Sequence, residues 1–246
     1  TKGLIAQFMA WLDKEGYYKD SSYLDLIRLL AKAGANLQDP EDVKTVLAKL
    51  SWKDSVKALA VYAYDIMATK ILKIEWTRPK YKQKDSLPFV PEESELDQLI
   101  AACKSRRMMT FLQTLKETSA DPGEILRMRW IDIDFKNRVI SINQPVKGHD
   151  ARQRKASSKL LAMLNNLPKK SERIFPTSYR KIYLCFYQMR KRAAQLLQNP
   201  RILKISFRTF RHWGGTMIAH YTHGNVLVVK KALGHKRIEN TMKYIH

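Results

Sequence analysis

Apolar residues recur every three or four positions along the first part of the chain, which is the spacing of amphipathic helices. The segments with this spacing cover residues 4–12, 21–34, 40–50 and 51–72. Serine opens the second and fourth segments, Pro40 opens the third, and Gly34 ends the second, as is common at helix ends. The pattern predicts four short helices in a compact bundle with little room for a catalytic cleft.

This periodicity stops at residues 75–95, a stretch with three prolines and a run of basic residues. Such a composition is typical of a linker, and its positive charge would let it lie along a nucleic-acid backbone. We therefore predict a helical domain at 1–75, a basic linker at 76–90 and a second domain at 91–246.

The second domain combines helical spacing with one short strand pattern. Helices are predicted at residues 93–103, 108–117, 179–198, 207–221 and 225–233. Residues 138–142 have the composition of a strand and follow a turn at 134–137, and the polar stretch 147–157 fits a hairpin loop and a returning strand. The expected fold class is mainly α with a small antiparallel β-sheet.

Charge changes this picture most, because 45 Lys and Arg stand against 23 Asp and Glu, a net charge of +22. After residue 80 there are 32 basic and 13 acidic residues, against 13 and 10 before it. Such a field favours a polyanionic partner, with nucleic acid first and an anionic membrane surface second. The membrane is less favoured because the basic residues do not lie opposite an apolar face of one helix. A basic protein without a polyanionic partner is the plain alternative.

Composition also argues against several protein classes. The sequence has no run of about eighteen apolar residues, which a membrane-spanning helix would need. Residues 1–16 resemble an amphipathic helix and not a signal peptide. Cys103 and Cys185 stand alone, so we expect no disulfide framework and a reducing compartment, the cytoplasm.

Motifs for cofactors are missing from the sequence. It contains neither GxxxxGKS/T nor GxGxxG, the glycine-rich loops that hold phosphates. Its six histidines do not fall at zinc-binding spacings, and no acidic cluster suits magnesium. We expect no metal and no cofactor. A domain that acts on nucleic acid without them would use side-chain cations and a side-chain nucleophile.

FRTFRHW is the first of two C-terminal motifs that supply such groups. It places Arg208 and Arg211 three residues apart on one helix face, with His212 beside them. Guanidinium groups bind phosphate oxygens in pairs and stay charged at any relevant pH. Taken alone, the two arginines are more typical of a solvated or DNA-facing helix surface.

The second motif is ALGHKRIENTMKYIH, residues 232–246. Gly234 can end a helix and leave His235 at the turn, and the residues from Thr241 look helical again, which would project Tyr244. A tyrosine needs nearby cations to attack as the phenolate, since its ordinary pKa is about 10. Taken singly, this histidine is more typical of a polar cap and the tyrosine is ordinary. The order and spacing of the motifs together favour a shared site.

Four motifs together resemble the tyrosine recombinases, a family that includes the phage integrases and the Xer-like proteins. LGHKRIENTMKYIH is similar to their box with a tyrosine nine residues after a Gly-His pair, and FRTFRHWGGT to the box of their second arginine. EILRMRWIDIDF resembles the stretch after their first arginine, and NQPVKG resembles the hairpin that carries their lysine. The resemblance covers residues 87–246, and SLPFVPEESELDQLI looks most like archaeal plasmid and viral integrases. It implies a catalytic domain preceded by a helical, SAM-like core-binding domain.

This resemblance also implies a role for each matching residue. Tyr244 would attack the scissile phosphate and leave a 3′-phosphotyrosyl bond and a free 5′-hydroxyl. Arg211 would hold the non-bridging oxygens, and His235 would donate a hydrogen bond to the same phosphate. Lys147 would protonate the leaving oxygen, and Glu124 would support the site. The covalent link conserves the phosphodiester energy, so neither ATP nor a metal is implied.

Two positions depart from the family pattern. Arg208 stands where the box usually begins with histidine, and it would still donate to phosphate. Asp121 stands nine residues before Trp130, where the first catalytic arginine is expected, and Arg127 and Arg129 lie too far along the predicted helix to replace it. With a carboxylate there, the phosphate loses a bidentate donor, which alone costs about 3 kcal/mol of transition-state stabilisation. The negative charge of the carboxylate also repels the phosphate. We expect a chain that binds DNA and cleaves it poorly, whether Asp121 is natural or was introduced to trap a complex.

Further candidates come from the basic residues. Lys155 or Arg154 could enter the site in place of Lys147. The residues expected to contact DNA are Arg152, Arg154, Lys155, His212, Lys53 and Lys57. The resemblance implies double-stranded DNA as the partner, self-assembly into dimers and tetramers on it, no membrane, and a location in the nucleoid.

Two other functions stay open at this point. One is a DNA-binding module of the same fold that does not cleave, and the other is a basic RNA-binding or structural protein in which the tyrosine is incidental. Family members usually pass a C-terminal segment to a neighbouring subunit. Because the sequence ends two residues after Tyr244, we expect a truncated chain or another mode of packing.

Overall fold

The computed structural model describes residues 2–17, 22–82 and 89–245, and the chain divides into two compact units, Thr1–Ser86 and Leu87–His246. Each unit has its own buried hydrophobic core. Within the described ranges, no helix is both long and apolar enough to cross a membrane.

The first unit is a helical bundle, and the four helices expected from the apolar spacing are confirmed. They are α1 (Lys2–Lys14), α2 (Ser22–Lys32), α3 (Pro40–Lys49) and α4 (Asp54–Ile66), the last of which continues as a π-helical segment, Met67–Leu72. Asp39 caps α3 by accepting the N–H of Glu41 at 2.9 Å, and Pro40 occupies the first turn. The largest fully buried side chains of the unit include Phe8, Ile27, Leu30, Leu37, Leu47 and Tyr64.

Residues after this bundle pack back onto it. Asp65 accepts a hydrogen bond from the indole N–H of Trp76 at 3.0 Å and pairs with Arg78 Nε at 2.7 Å. The Trp76 ring meets Tyr64 edge-on, with centroids 4.8 Å apart. The first part of the segment predicted as a linker is therefore held against the first unit, while its residues 83–88 lie outside the described ranges.

The second unit is mainly helical with one small sheet, as the sequence predicts. Its helices are α5 (Glu93–Ala101), α6 (Arg106–Thr118), α7 (Pro122–Arg127), α8 (Ser158–Asn165), α9 (Tyr179–Leu196), α10 (Phe207–Tyr221), α11 (Val226–Leu233) and α12 (Glu239–Met242). The strands β1 (Ile133–Asp134), β2 (Val139–Ile142) and β3 (Arg152–Lys155) form an antiparallel sheet in the order β1-β2-β3. In the β2–β3 hairpin Ile142 pairs with Arg152 next to the loop, and Val139 pairs with Lys155 at the far end.

Three local expectations need correction. No helix is predicted from the sequence at residues 158–165, where α8 begins after a Ser157 cap. Arg129 lies beyond α7 in extended backbone, because that helix ends at Arg127. Tyr244 is not helical: α12 ends at Met242, and the Tyr244 N–H donates to the Thr241 carbonyl at 2.9 Å in a turn.

Helix α6 lies at the centre of the second unit, packed against α5, α7, α8, α10 and β3. Its side chains Phe111, Leu112 and Leu115 are fully buried. It ends at Ser119, whose left-handed backbone (φ +53°) turns the chain toward α7. The helix therefore brings the start of α7 and the middle of α10 to one place.

Candidate active site

One side of the site is built on the end of α11. Gly234 has φ +69°, which favours glycine, and the N–H of His235 donates to the Lys230 carbonyl at 3.1 Å. A Cβ on Gly234 would lie 2.8 Å from Arg152 Nη1 and from the Asp150 carbonyl oxygen. The Asp150 N–H donates to the Gly234 carbonyl at 2.9 Å. The glycine thus lets the β2–β3 loop meet the turn that carries His235.

His235 is buried, and its neighbours hold its ring in one orientation. Nδ1 lies 2.9 Å from Thr241 Oγ1, and the ring stacks on Tyr244 with centroids 6.1 Å apart and planes 17° apart. Burial, reinforced by the charge of Arg211, lowers the pKa of His235 to about 4. The imidazole is therefore neutral at neutral pH.

Tyr244 is buried as well, with 4% of the residue exposed. Its ring centroid lies 5.6 Å from that of His212 and 5.2 Å from Lys243 Nζ. Burial raises the pKa of the Tyr244 phenol, while the charges of Arg211 and Arg208 act in the opposite direction. The phenol thus lies among cations in a water-poor position.

Arg211 projects from α10 and joins the ends of two other helices. Nη1 donates to the Ser119 carbonyl at 2.9 Å, and Nη2 donates to the Leu233 carbonyl at 2.6 Å. Both carbonyls lie at helix C-termini, where a cation is stabilised. Burial lowers the pKa of Arg211, but a guanidinium stays protonated in proteins. The result is a fixed positive charge beside Leu233, two residues before His235.

Arg208 and His212 lie one turn apart on the outer side of α10. Arg208 is exposed and donates from Nε to His212 Nε2 at 3.1 Å. Burial, followed by the charges of Lys243 and Arg208, lowers the pKa of His212 to about 4. The Nδ1 atom of His212 is buried without a hydrogen-bond partner. The predicted pair of arginines is thus divided, since Arg211 is buried and Arg208 faces solvent.

On the other side of the site, Asp121 opens α7. Its Oδ1 accepts the N–H of Gly123 at 3.0 Å, and its Oδ2 pairs with Lys147 Nζ at 2.8 Å. Lys147 lies in the β2–β3 loop with φ +55°, and 72% of its side chain is exposed. The carboxylate at the position expected for arginine therefore binds the lysine expected to act as the acid.

Glu124, one turn after Asp121, has a fully buried side chain. It accepts hydrogen bonds from Arg152 Nη2 at 2.6 Å, Arg152 Nη1 at 3.1 Å and the Asp121 N–H at 2.8 Å, and its Oε1 lies 3.0 Å from His149 Nδ1. Burial raises the pKa of this carboxyl, but the hydrogen bonds from His149 and Arg152 outweigh it and bring the value to about 2. Glu124 is therefore ionised inside the protein.

These two sides meet at the end of α11. The His149 and His235 rings have centroids 5.9 Å apart, and Arg211 binds the carbonyl of Leu233, next to Gly234. Arg211, His235 and the β2–β3 loop thus lie around the end of α11 and do not face separate surfaces.

Other predicted residues lie elsewhere. Lys155 and Arg154 are at the far end of β3, with Lys155 about 10 Å along the strand from Arg152. Arg152, predicted to contact DNA, is buried against Glu124. In the first unit, Lys53 is exposed, whereas Lys57 is buried and donates to the Ala48 carbonyl at 3.1 Å. Of the predicted DNA contacts, Arg152, Lys57 and His212 thus have protein partners.

Sequence reasoning missed three contributors. His149 lies two residues after Lys147, and that proximity was its only signal. Gly214 and Gly215 follow the arginine motif, and each lies where a side chain would collide, with Ser119 and with Tyr244 respectively. The glycine pair in FRHWGG was the available clue to close packing.

Residues 90–246 match the model of the Phage integrase family. The chain belongs to the phage integrase family. The match contains every element of the site just described, from Asp121 to Tyr244.

Individual relatives agree with this membership. The chain is 26% identical over 203 residues to the tyrosine recombinase XerA of Saccharolobus solfataricus (strain ATCC 35092 / DSM 1617 / JCM 11322 / P2), a match that covers 79% of this integrase-family chain and 65% of that relative. In structure it resembles a lambda integrase dimer bound to a COC′ core site (TM-score 0.78, 13% identity, 100% of this chain and 77% of that one). It also resembles the Tn1549 transposon integrase in complex with transposon right end DNA (TM-score 0.73, 14% identity, 98% and 94%). At these identities the structural likeness shows a shared fold.

Proposed function

We propose that this phage integrase family member is a site-specific DNA recombinase that cuts and rejoins DNA through a 3′-phosphotyrosyl intermediate. The observation that carries the proposal is the proximity of three buried residues: Tyr244 stacks on His235, and Arg211 binds the carbonyl of Leu233, two residues before His235. Further support comes from two structural relatives that are described in complex with DNA. The strong positive charge after residue 80 is the electrostatic signature of such a partner.

In this proposal Tyr244 Oη attacks the scissile phosphorus, and the P–O5′ bond breaks. Arg211 supplies a fixed guanidinium for the non-bridging oxygens, and His235 donates a hydrogen bond to the same phosphate. Preorganised donors of this kind stabilise the developing charge without reorganisation. Because the energy of the phosphodiester is kept in the phosphotyrosyl bond, the free 5′-hydroxyl can reverse the step and rejoin a strand.

In our proposal Asp121 makes this chain cleave DNA slowly. It brings a negative charge to the position of the first catalytic arginine, and it binds Lys147 at 2.8 Å. The loss of one charged donor alone lowers the rate by about 10²–10³-fold. A protein of this fold that binds DNA without cutting it is therefore the second candidate function.

Double-stranded DNA is the proposed partner, with two or four copies assembling on it as dimers and tetramers. The first unit would act as the core-binding domain, and residues after 90 as the catalytic domain. We place the protein with the DNA it acts on, in the nucleoid.

A nicked suicide substrate tests the proposal, because loss of the short strand traps the covalent adduct. Asp121→Arg should raise adduct formation by about 10²-fold or more over the parent chain, in line with a restored charged donor. Asp121→Asn, which removes the charge without adding a donor, should give a smaller gain. Adduct from none of the three chains, with DNA binding intact, would favour the non-cleaving module.

A further inference from the structure

We propose that His149 is a catalytic residue of this site and donates the proton to the leaving 5′-oxygen. This inference rests on the proposed strand-cleavage function and deepens it. It concerns the β2–β3 loop, where Lys147 is the residue that the family resemblance assigns to this role.

The His149 ring is oriented by a buried carboxylate. Its Nδ1 lies 3.0 Å from Oε1 of the buried Glu124. An ionised carboxylate only accepts hydrogen bonds, and Glu124 is paired with both terminal nitrogens of Arg152, which keeps it ionised, so we assign Nδ1 as the donor. Nε2 is then the nitrogen left to exchange a proton with a ligand. A carboxylate that fixes an imidazole through Nδ1 is the arrangement used in acid–base catalysis.

His149 also lies close to the other residues of the site. The His149 ring lies 5.9 Å from the His235 ring, which in turn stacks on Tyr244. A tight turn holds it there: Lys147 and Gly148 both have positive φ, and the His149 N–H donates to the Val146 carbonyl at 3.0 Å. His149 therefore lies beside the residues that would contact the phosphate.

Lys147, in contrast, is already bound to another side chain. Its ammonium group is bound to Asp121 Oδ2 at 2.8 Å, and most of its side chain is in solvent. To act as the acid it would have to leave that carboxylate. His149 needs no such rearrangement, because the β2–β3 turn and Glu124, which is itself paired with Arg152, already hold it in place.

Charged or titratable groups lie around His149 on three neighbouring elements. Glu124 comes from α7, Arg152 from β3, and His235 from the turn after α11. Both terminal nitrogens of Arg152 donate to the same Glu124 carboxylate. The imidazole thus shares its carboxylate with a permanent cation.

Strand cleavage in this proposal forms one bond to phosphorus, breaks another and moves two protons. The bond from Tyr244 Oη to phosphorus forms as the P–O5′ bond breaks, the Nε2 proton of the His149 imidazolium goes to O5′, and the phenol proton goes to water. In rejoining, the 5′-hydroxyl returns its proton to Nε2 as it attacks the phosphotyrosyl bond.

A suicide substrate with sulfur in place of the bridging 5′-oxygen tests this role, because a thiolate leaves without being protonated. His149→Asn keeps a donor at the place of Nδ1 for Glu124 and removes Nε2. Its adduct rate should fall by about 100-fold with the oxygen substrate and by less than about threefold with the sulfur substrate, as expected for loss of a general acid. Lys147→Ala should slow both substrates by the same factor.

The outcomes separate the two proposals. Equal slowing of both substrates by His149→Asn, or no slowing, would overturn the role of His149 and leave the recombinase proposal standing. The role of His149 would also be overturned, and the recombinase proposal kept, if the sulfur substrate restored the adduct rate of Lys147→Ala. No adduct by the parent chain on either substrate would overturn the role of His149, while the recombinase proposal would fall only if the Asp121→Arg chain also formed no adduct. His149→Gln serves as a second variant if the asparagine chain melts at a lower temperature than the parent.

Discussion

The ring of Tyr244 lies directly against Gly215 of α10, and no side chain fits between them: a Cβ at residue 215 would be 2.8 Å from both Cδ1 and Cε1 of the ring. The backbone of α10 thus forms one wall of the tyrosine's position. The same helix carries Arg211 one turn earlier, so a single rigid element positions both the phenol and the guanidinium.

Gly215→Ala should therefore displace the tyrosine. We expect adduct formation on a nicked substrate to fall by about tenfold or more, since a misplacement of about 1 Å at a reacting group can cost 10²-fold. Gly3→Ala is the matched control, because it lies in α1 with open space around it, and an alanine inside a helix stabilises by about 0.5–1 kcal/mol. Equal rates for Gly215→Ala and the parent would show that the Tyr244 position is not set by this contact.

Arg211→Lys keeps the positive charge but cannot reach both the Ser119 and the Leu233 carbonyls as a planar fork does. In the Asp121→Arg background we expect the adduct rate to fall by about 100-fold. The exposed Arg208 is the control, and Arg208→Lys should lose less than about tenfold. Similar losses at the two positions would contradict a special role for the buried arginine.

Glu124→Gln should destabilise the second unit strongly. It leaves the buried Arg152 without its carboxylate, and breaking a buried pair costs about 3–5 kcal/mol in the free energy of unfolding. Glu172→Gln removes the exposed partner of Arg129 and should cost less than about 1 kcal/mol. Urea unfolding of both variants measures the difference, and equal costs would contradict the buried network.

The free energy of unfolding should decrease at low pH, because the buried histidines of the site bind protons less readily than in the unfolded chain. Burial lowers the pKa of His235 and of His212 to about 4, below the value of about 6.5 in an unfolded chain. Between these values the unfolded chain binds more protons, so this contribution to stability is complete above pH 6.5 and is lost as the pH falls toward 4. Because solvent screening reduces the effect for these partly buried rings, we expect a loss of at most about 2 kcal/mol per histidine, and a shallower slope in His235→Gln. A free energy of unfolding that stays constant from pH 7 to 4.5 would contradict this.

Much of this architecture could be predicted from the sequence. The apolar spacing located the helices of the first unit, and Gly34 and Gly234 ended helices because a left-handed backbone suits glycine at those points. The family motifs pointed to Arg211, His235 and Tyr244, and the structure brings these residues close together, since Tyr244 stacks on His235 and Arg211 binds the carbonyl of Leu233. Their catalytic roles stay a prediction.

What could not be predicted depends on contacts between residues that are distant in sequence. The link from Glu124 to His149 spans 25 residues, and the one from Asp121 to Lys147 spans 26. No local pattern encodes either. The turn at Tyr244 was missed for a related reason, since tertiary packing against Gly215 and His235, and not helix propensity, sets its backbone.

Covalent attachment of DNA to Tyr244 is the most direct test of the central claim. In the Asp121→Arg background, Tyr244→Phe should abolish the adduct on a nicked substrate. Tyr221→Phe, at an exposed tyrosine of α10, should retain it. A Tyr244→Phe chain that still becomes linked to DNA would contradict the account, because the nucleophile would then be another residue.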